Sequence, residues 1–88
     1  MSSQFKFFNT NLGGLKIIER TPVEDDRGFF SRFYCKEDFK NLGLMGSTKQ
    51  MNLSLTKKKG TIRGMHLQVS PYEEIKIITC IKGKVFDV

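Results

Sequence analysis

The chain has 88 residues, of which 39% are hydrophobic, and a formal net charge of +6. This length predicts one domain with a small core, because so short a chain buries only about 60% of the surface that it exposes when unfolded. The hydrophobic content excludes intrinsic disorder, and no apolar run approaches the roughly 20 residues that span a bilayer. Two cysteines are too few for a disulfide framework, and the first residues lack a secretory pattern, so we expect a cytoplasmic protein without a membrane partner.

The positive charge is spread along the chain rather than gathered in one motif. Its only tight cluster, Lys57-Lys58-Lys59, stands directly before Gly60, where we expect a solvated turn. The sequence contains no zinc-finger spacing, helix-turn-helix pattern or basic heptad, and a barrel that binds nucleic acid would rest on charge alone. Dispersed cations suit a small diphosphate ligand equally well. We therefore expect no nucleic-acid partner.

The first part of the chain predicts strands separated by turns. Residues 15–20 are rich in β-branched side chains and stop before Pro22, which does not fit a central strand. Residues 29–34 are an aromatic-rich strand candidate. Residues 23–28 are polar and end in a glycine, so we expect a connection there. An apolar start and a turn precede these segments, at residues 5–8 and 9–14.

One helix is predicted, from Lys36 to about Leu42. Glu37 and Asp38 lie near its N-terminus, where negative charge is favourable, and Gly43 supplies a stop. Cys35 precedes the helix, and we expect it to be packed rather than reactive, because nothing near it marks an activated thiolate.

The second part of the chain indicates further strands, at residues 50–55, 60–69, 74–81 and 84–88. In the first of them Met51, Leu53 and Leu55 share one face, while the other face is polar. That polar face meets either water or a wet pocket, and alternation alone does not decide which. A two-residue hairpin signal, Lys82-Gly83, precedes the last segment. Short strands at near-regular spacing with one short helix predict an all-β sandwich or β-barrel.

The chain's only histidine, His66, lies within residues 60–69. Strict alternation puts Gly64, His66 and Gln68 on one face and Arg63 on the other. A pocket shared by Arg63 and His66 therefore needs a bulge or twist, which Gly64 would permit. A lone histidine is more often structural than catalytic. Lys76, in the next segment, is either an edge-strand gatekeeper or a functional cation.

A metal site is not expected, because one histidine without clustered carboxylates cannot supply three or four ligands. The sequence stops at Val88, inside a predicted strand that would have an open edge. We therefore expect residues 1–88 to be a single partial domain, the front part of a longer one.

Five blocks stand in a characteristic order and spacing: Asp26-Arg27-Gly28-Phe29-Phe30, Gln50-x-Asn52-x-Ser54, Gly60-Thr61-Ile62-Arg63-Gly64-Met65-His66-Leu67-Gln68, Glu74-x-Lys76 and Gly83-Lys84-Val85-Phe86-Asp87-Val88. In these blocks the chain resembles the N-terminal half of the dTDP-4-dehydrorhamnose 3,5-epimerase family. The resemblance implies an all-β, cupin-type jelly roll and a homodimer that needs no cofactor. It implies a dTDP-sugar substrate, inverted at C3 and C5, in deoxysugar and surface-polysaccharide synthesis.

The resemblance also assigns roles to single residues. His66 matches the general base that removes the protons next to the C4 ketone, a task that suits an imidazole. Lys76 matches the group that stabilises the enolate oxygen at C4. The positions that match substrate-binding residues are Arg27, Phe30, Gln50, Asn52 and Arg63.

Two features set this chain apart from the family pattern. Arg32 stands where many members have a glutamate, which leaves open which deoxysugar is used. The resemblance further implies that an acid tyrosine and the aspartate that pairs with the histidine belong to the C-terminal half of the family's domain. The alternative is therefore a non-catalytic module for sugar-nucleotide binding or dimerisation.

Overall fold

The computed structural model describes residues 4–42 and 48–88, which belong to two compact units, Met1–Lys49 and Gln50–Val88. Within the described residues, every strand and helix lies in the first unit. These elements are antiparallel strands and one short helix, which confirms the predicted all-β class. Neither described helical segment has the length and apolar character that crossing a membrane would require.

The first hairpin consists of β1 (Phe5–Asn9) and β2 (Lys16–Arg20), paired antiparallel. The hydroxyl of Thr10 organises the connection between them. It donates to the carbonyl oxygen of Leu15 at 2.8 Å and accepts from the backbone N–H of Leu12 at 3.2 Å. The predicted strand at residues 15–20 and the turn before it are both confirmed.

The second hairpin corrects the sequence prediction. β3 (Val23–Asp25) pairs antiparallel with β4 (Gly28–Phe30), so the expectation of a simple connection over residues 23–28 was wrong. The polar residues do form a turn, but the turn is short and the residues on both sides of it pair. Gly28 has a φ of +136°, a conformation that residues with a β-carbon rarely adopt.

The predicted strand at residues 29–34 is also shorter than expected, because only its first two residues belong to β4. Their partner strand β3 has three residues and follows Pro22, which has no N–H to extend the ladder. Residues 31–34 consequently continue without a strand partner.

The helix lies where it was predicted. α1 spans Lys36–Phe39 and continues as a 3-10 turn over Lys40–Leu42. The extended residue Cys35 precedes it, and the backbone N–H of Phe39 donates to the Cys35 carbonyl oxygen at 3.0 Å. The thiol of Cys35 is half-buried. The predicted stop at Gly43 lies outside the described residues.

An aromatic cluster forms the core of the first unit. The buried ring of Phe39 meets Phe5, Phe7 and Tyr34 edge-on, at centroid distances of 4.8, 5.9 and 5.2 Å. Burial of one such ring contributes about 2–3 kcal/mol, and each edge-to-face pair adds about 0.5–1.5 kcal/mol. Nearby, the Arg20 guanidinium stacks on Phe33 at 4.9 Å. The contacts of Phe39 with Phe5 and Phe7 pack α1 against one face of the first hairpin.

The second unit contains the predicted turns. At the basic cluster, the N–H of Thr61 donates to the Lys58 carbonyl oxygen at 3.4 Å, and Gly60 has a φ of +84°. A second turn forms where the N–H of Tyr72 donates to the Val69 carbonyl oxygen at 2.8 Å.

The strands predicted at residues 50–55, 60–69, 74–81 and 84–88 are not paired in the structure. Among residues 48–88 no ladder forms, and the side chains on both faces of residues 50–55 are exposed. The reason is that alternation determines which side chains share a face, whereas a strand also requires a hydrogen-bonded neighbour. Residues 48–88 do not supply that neighbour to one another.

Candidate functional site

Arg27 lies in the two-residue turn between β3 and β4, where Asp25 binds it twice over. Its backbone N–H donates to Asp25 Oδ1 at 2.9 Å. Its guanidinium donates through Nε to Oδ2 at 3.2 Å and through Nη2 to Oδ2 at 2.6 Å. An aspartate that accepts from the N–H two residues ahead is typical of tight turns. The same carboxylate thus shapes the turn and orients the side chain.

These contacts shift the titration of both groups while leaving them in water. The hydrogen bonds from the Arg27 side chain and then from its backbone lower the pKa of the Asp25 carboxyl. The Asp25 carboxylate in turn raises the pKa of the Arg27 guanidinium. The Arg27 side chain is 90% exposed, so its cationic head is accessible to an anion.

Phe30 ends β4 opposite Val23, and its ring is exposed. Arg32 extends Nη1 to Asp38 Oδ2 at 3.4 Å. Asp38 lies in the first turn of α1. The cation of Arg32 is therefore paired with an acidic side chain from the helix.

In the second unit, Arg63 closes the loop around the basic turn. Its Nη2 donates to the carbonyl oxygen of Leu55 at 3.2 Å. This single bond uses one of the five N–H donors of the guanidinium. Gln50 and Asn52, the predicted nucleotide-binding residues before that loop, are exposed.

Gly64 and His66 lie in close contact. Gly64 has a φ of +108°, and a β-carbon placed on it would stand 3.3 Å from His66 Nδ1. Gly64 thus has a backbone conformation that favours glycine, while the pocket shared by Arg63 and His66 stays a prediction. The imidazole lies against Gly64, while the guanidinium of Arg63 is bound to Leu55. Within residues 48–88, no hydrogen bond or ion pair joins Arg63 to His66.

Lys76 is paired with an acidic neighbour. Its Nζ lies 3.3 Å from Glu74 Oε1, and the two side chains are 52% and 51% exposed. This lysine is therefore half-exposed rather than buried, and its role as a gatekeeper or a functional cation stays a prediction. An ammonium group has three donors, so two remain available to another acceptor.

The predicted site residues thus fall into two groups, Arg27 and Phe30 in the first unit and the remainder in the second. Within the second unit, Gln50, Asn52, Arg63, His66 and Lys76 form no hydrogen bond or ion pair with one another among residues 48–88. The sequence reasoning overlooked Asp25 and Asp38 as partners of the arginines. The Asp-x-Arg spacing before a glycine was the signal that could have identified Asp25.

Comparison with known proteins finds one family. A family model described as dTDP-4-dehydrorhamnose 3,5-epimerase matches residues 9–88. The chain is 35% identical over 83 residues to the dTDP-4-dehydrorhamnose 3,5-epimerase of Sinorhizobium fredii, a match that covers 93% of this chain and 42% of that protein. It is 34% identical over 86 residues to the enzyme of the same name from Methanothermobacter thermautotrophicus, covering 98% of this chain and 45% of that protein.

A third relative has a narrower name. The dTDP-4-dehydrorhamnose 3-epimerase of Streptomyces niveus is 36% identical over 80 residues, covering 88% of this chain and 38% of that protein. The chain therefore spans less than half of the length of these relatives. No solved structure matches it significantly.

Proposed function

Since the chain belongs to the dTDP-4-dehydrorhamnose 3,5-epimerase family, we propose that it supplies the general base and the oxyanion-stabilising lysine of a sugar-nucleotide isomerase. The reaction inverts C3 and C5 of a dTDP-4-dehydro-6-deoxyhexose on the way to dTDP-L-rhamnose and surface polysaccharide. The observation that carries this proposal is the family match over residues 9–88.

The proposal extends to the setting of the reaction. Residues 1–88 correspond to the N-terminal part of a cupin-type jelly roll, which acts as a cytoplasmic homodimer without a metal or other cofactor. Support comes from the antiparallel strands of the first unit and from the order of the five sequence blocks.

His66 and Lys76 divide the chemistry between them. The imidazole takes the proton from the carbon next to the C4 ketone, and the electron pair of that C–H bond moves into an enolate with its charge on the C4 oxygen. Lys76 donates to this oxygen as the charge develops. Return of a proton to the opposite face of the carbon, from the acid tyrosine that the resemblance assigns to the C-terminal half of the family's domain, completes the inversion. In the structure the ammonium group of Lys76 lies 3.3 Å from Glu74 Oε1.

The remaining residues bind the nucleotide end of the substrate. The Arg27 guanidinium, which is exposed on a paired hairpin, binds the diphosphate through its fork of donors. Phe30, at the end of β4, offers an exposed ring as a surface for the base or sugar. Gln50, Asn52 and Arg63 supply further polar contacts.

Solvent exchange tests the catalytic part of the proposal. The 88-residue chain is incubated with dTDP-4-dehydro-6-deoxy-D-glucose in deuterated buffer, and NMR follows deuterium entering at C3 and C5. His66→Asn is expected to lower the exchange rate about 10²- to 10⁴-fold, and Lys76→Met about 10²- to 10³-fold. Lys57→Met, in the solvated basic turn, serves as the matched control and is expected to exchange at the wild-type rate. Exchange that survives His66→Asn unchanged would remove His66 from the mechanism.

A second candidate function is a sugar-nucleotide-binding module without turnover. It is favoured by one observation, the contrast between Arg27 and His66. Arg27 is bound by Asp25 in the turn between two paired strands, whereas His66 has no hydrogen bond or ion pair within residues 48–88. Calorimetry with dTDP distinguishes the two functions. Binding that Arg27→Gln weakens, without any deuterium exchange by the wild type, would assign the module rather than the isomerase.

A further inference from the structure

The Asp25–Arg27 contact uses one particular edge of the guanidinium. Asp25 accepts from Nε at 3.4 and 3.2 Å through its two oxygens and from Nη2 at 2.6 Å. A guanidinium has five N–H donors in a rigid plane. The carboxylate occupies the edge formed by Nε and one N–H of Nη2. The opposite end, formed by both N–H groups of Nη1 and the second of Nη2, makes no hydrogen bond within residues 4–42 and 48–88.

The opposite end has the geometry that a phosphate group requires. Two parallel N–H donors at one end of a planar fork bind two oxygens of a phosphate at once. An unrestrained arginine on a 90% exposed side chain would sample many rotamers, and binding would have to fix one of them. The Asp25 carboxylate already restricts the plane of the guanidinium before any ligand arrives.

We propose that Asp25 is a positioning residue for sugar-nucleotide binding, which holds the guanidinium of Arg27 by one edge and presents the other to the diphosphate. This inference rests on the proposed function, in which Arg27 binds that diphosphate. Asp25 itself does not touch the ligand, and it acts through Arg27 alone.

The negative charge of Asp25 has the opposite effect on the affinity for a diphosphate. The two effects can be told apart, because they change the affinity in opposite directions when the carboxylate is removed. Asp25 is an anion next to a site for an anion, so its charge alone weakens the attraction of a diphosphate. If charge were its only influence, removal of the carboxylate would tighten binding. If positioning dominates, removal of the carboxylate weakens binding although the protein becomes more positive.

The central variant is Asp25→Asn, because an asparagine oxygen can still accept from the Arg27 backbone N–H and keep the turn. Its amide nitrogen cannot accept from the guanidinium. Asp26→Asn is the matched control, since it removes the same charge one residue away. The native Asp26 makes no hydrogen bond or ion pair in the described part of the chain. Asp25→Glu keeps the charge on a longer side chain that can still reach the guanidinium.

Calorimetry of the 88-residue chain with dTDP at low ionic strength gives the affinities. Asp25→Asn is expected to bind about two- to five-fold more weakly than the wild type, the range for an exposed ion pair with good geometry. Asp26→Asn is expected to bind equally or slightly more tightly. Asp25→Glu should fall between the wild type and Asp25→Asn, whereas a pure charge effect would make Asp25→Asn the tightest binder of the three.

A ligand-free measurement separates this inference from the function on which it rests. The side-chain Nε–H of Arg27 is expected to give a slowly exchanging NMR signal in the wild type and in Asp26→Asn, and a fast one in Asp25→Asn. If the wild type binds dTDP and Arg27→Gln weakens it while Asp25→Asn matches Asp26→Asn, the positioning role is overturned and the proposed function stands. If the wild type does not bind dTDP, or Arg27→Gln leaves binding unchanged, the proposed role of Arg27 fails, and the inference fails with it.

Discussion

Among the described residues, buried apolar side chains occur in only one of the two units of the chain. In the first, Phe5 and Phe39 are 3% and 2% exposed and lie against each other. In the second, Leu53 and Ile62 are 82% and 88% exposed. Both units have alternating and β-branched segments, so sequence pattern does not account for the difference. The paired strands account for the difference, because the ladder of β1 and β2 fixes side chains on one face and α1 packs against that face.

The candidate residues divide along the same line. Arg27 has its position from a local turn, a carboxylate two residues away and a ladder on both sides. His66 and Lys76 stand on backbone that forms no ladder within residues 48–88. The position of Arg27 therefore depends only on contacts close in sequence and on a short ladder. The residues proposed for catalysis, His66 and Lys76, have no such ladder within residues 48–88.

The largest expected effect comes from removal of the aromatic centre of the first unit. Phe39→Ala should lower the free energy of unfolding of that unit by about 3–5 kcal/mol, because it deletes a buried ring together with its edge-to-face partners. Amide exchange measured by NMR is expected to lose its protection along β1 and β2. Residues 50–88, which have no ladder, should show no comparable protection in either protein.

Phe29→Ala is the control, since Phe29 is 72% exposed in β4. It is expected to change the free energy of unfolding by less than about 0.5 kcal/mol, as surface substitutions usually do. The contrast between the two units would be contradicted if amides across residues 50–88 were as strongly protected as those of β1. It would also be contradicted if Phe39→Ala lowered the free energy of unfolding no more than Phe29→Ala.

An effect of intermediate size is expected from Gly64→Ala in the second unit. The new β-carbon would lie 3.3 Å from the His66 ring, on a backbone with a φ of +108°. The backbone strain amounts to about 1–2 kcal/mol and is relieved by a change in the local backbone or a shift of the imidazole. NMR of the His66 ring nitrogens is expected to show a clear change in chemical shift.

Gly83→Ala provides the matched control for Gly64→Ala. Gly83 has a φ of +88°, yet nothing lies within 4 Å of a β-carbon placed on it. The same kind of backbone strain arises there without a neighbour to move. Identical His66 spectra in Gly64→Ala and the wild type would show that the contact between Gly64 and the imidazole does not persist in solution.

The sequence predicted those features of the fold that depend on local chemistry. Glu37 and Asp38 at a helix start, and the β-branched run before Pro22, indicated α1 and β2 correctly. The β3–β4 hairpin was missed, because each of its strands has only three residues. So short a strand is too short to show an alternating pattern. The strands of the second unit were predicted from patterns that specify faces but not partners.

The same reasoning explains what could be predicted of the candidate site. The special backbone at Gly64 followed from the clash between alternation and a shared pocket for Arg63 and His66. The partner of Arg63 did not follow, because a carbonyl oxygen such as that of Leu55 has no signature in sequence. The family resemblance likewise singled out Arg32 but not its pairing with Asp38, which requires knowing how the helix packs.

The smallest expected effect concerns a surface ion pair and measures how far the first unit depends on its core alone. Lys40 Nζ lies 2.6 Å from Glu37 Oε1, three residues earlier, and both side chains are mostly exposed. Lys40→Gln is expected to change the unfolding equilibrium constant by no more than about two-fold at neutral pH, measured by urea denaturation. Lys36→Gln, on the same helix and without an ion pair in the described residues, is expected to cause no loss.

The pH dependence of this pair has a definite sign. The hydrogen bond to Glu37, and then its charge, raise the pKa of the Lys40 ammonium in the folded chain. A raised folded pKa means that the contribution is complete below the ordinary lysine value of about 10.4 and is lost as pH rises through the folded value. The difference between wild type and Lys40→Gln should therefore persist at neutral pH and be lost in strong alkali. A difference as large as that of Phe39→Ala would show that surface charge rather than the aromatic cluster holds the first unit together.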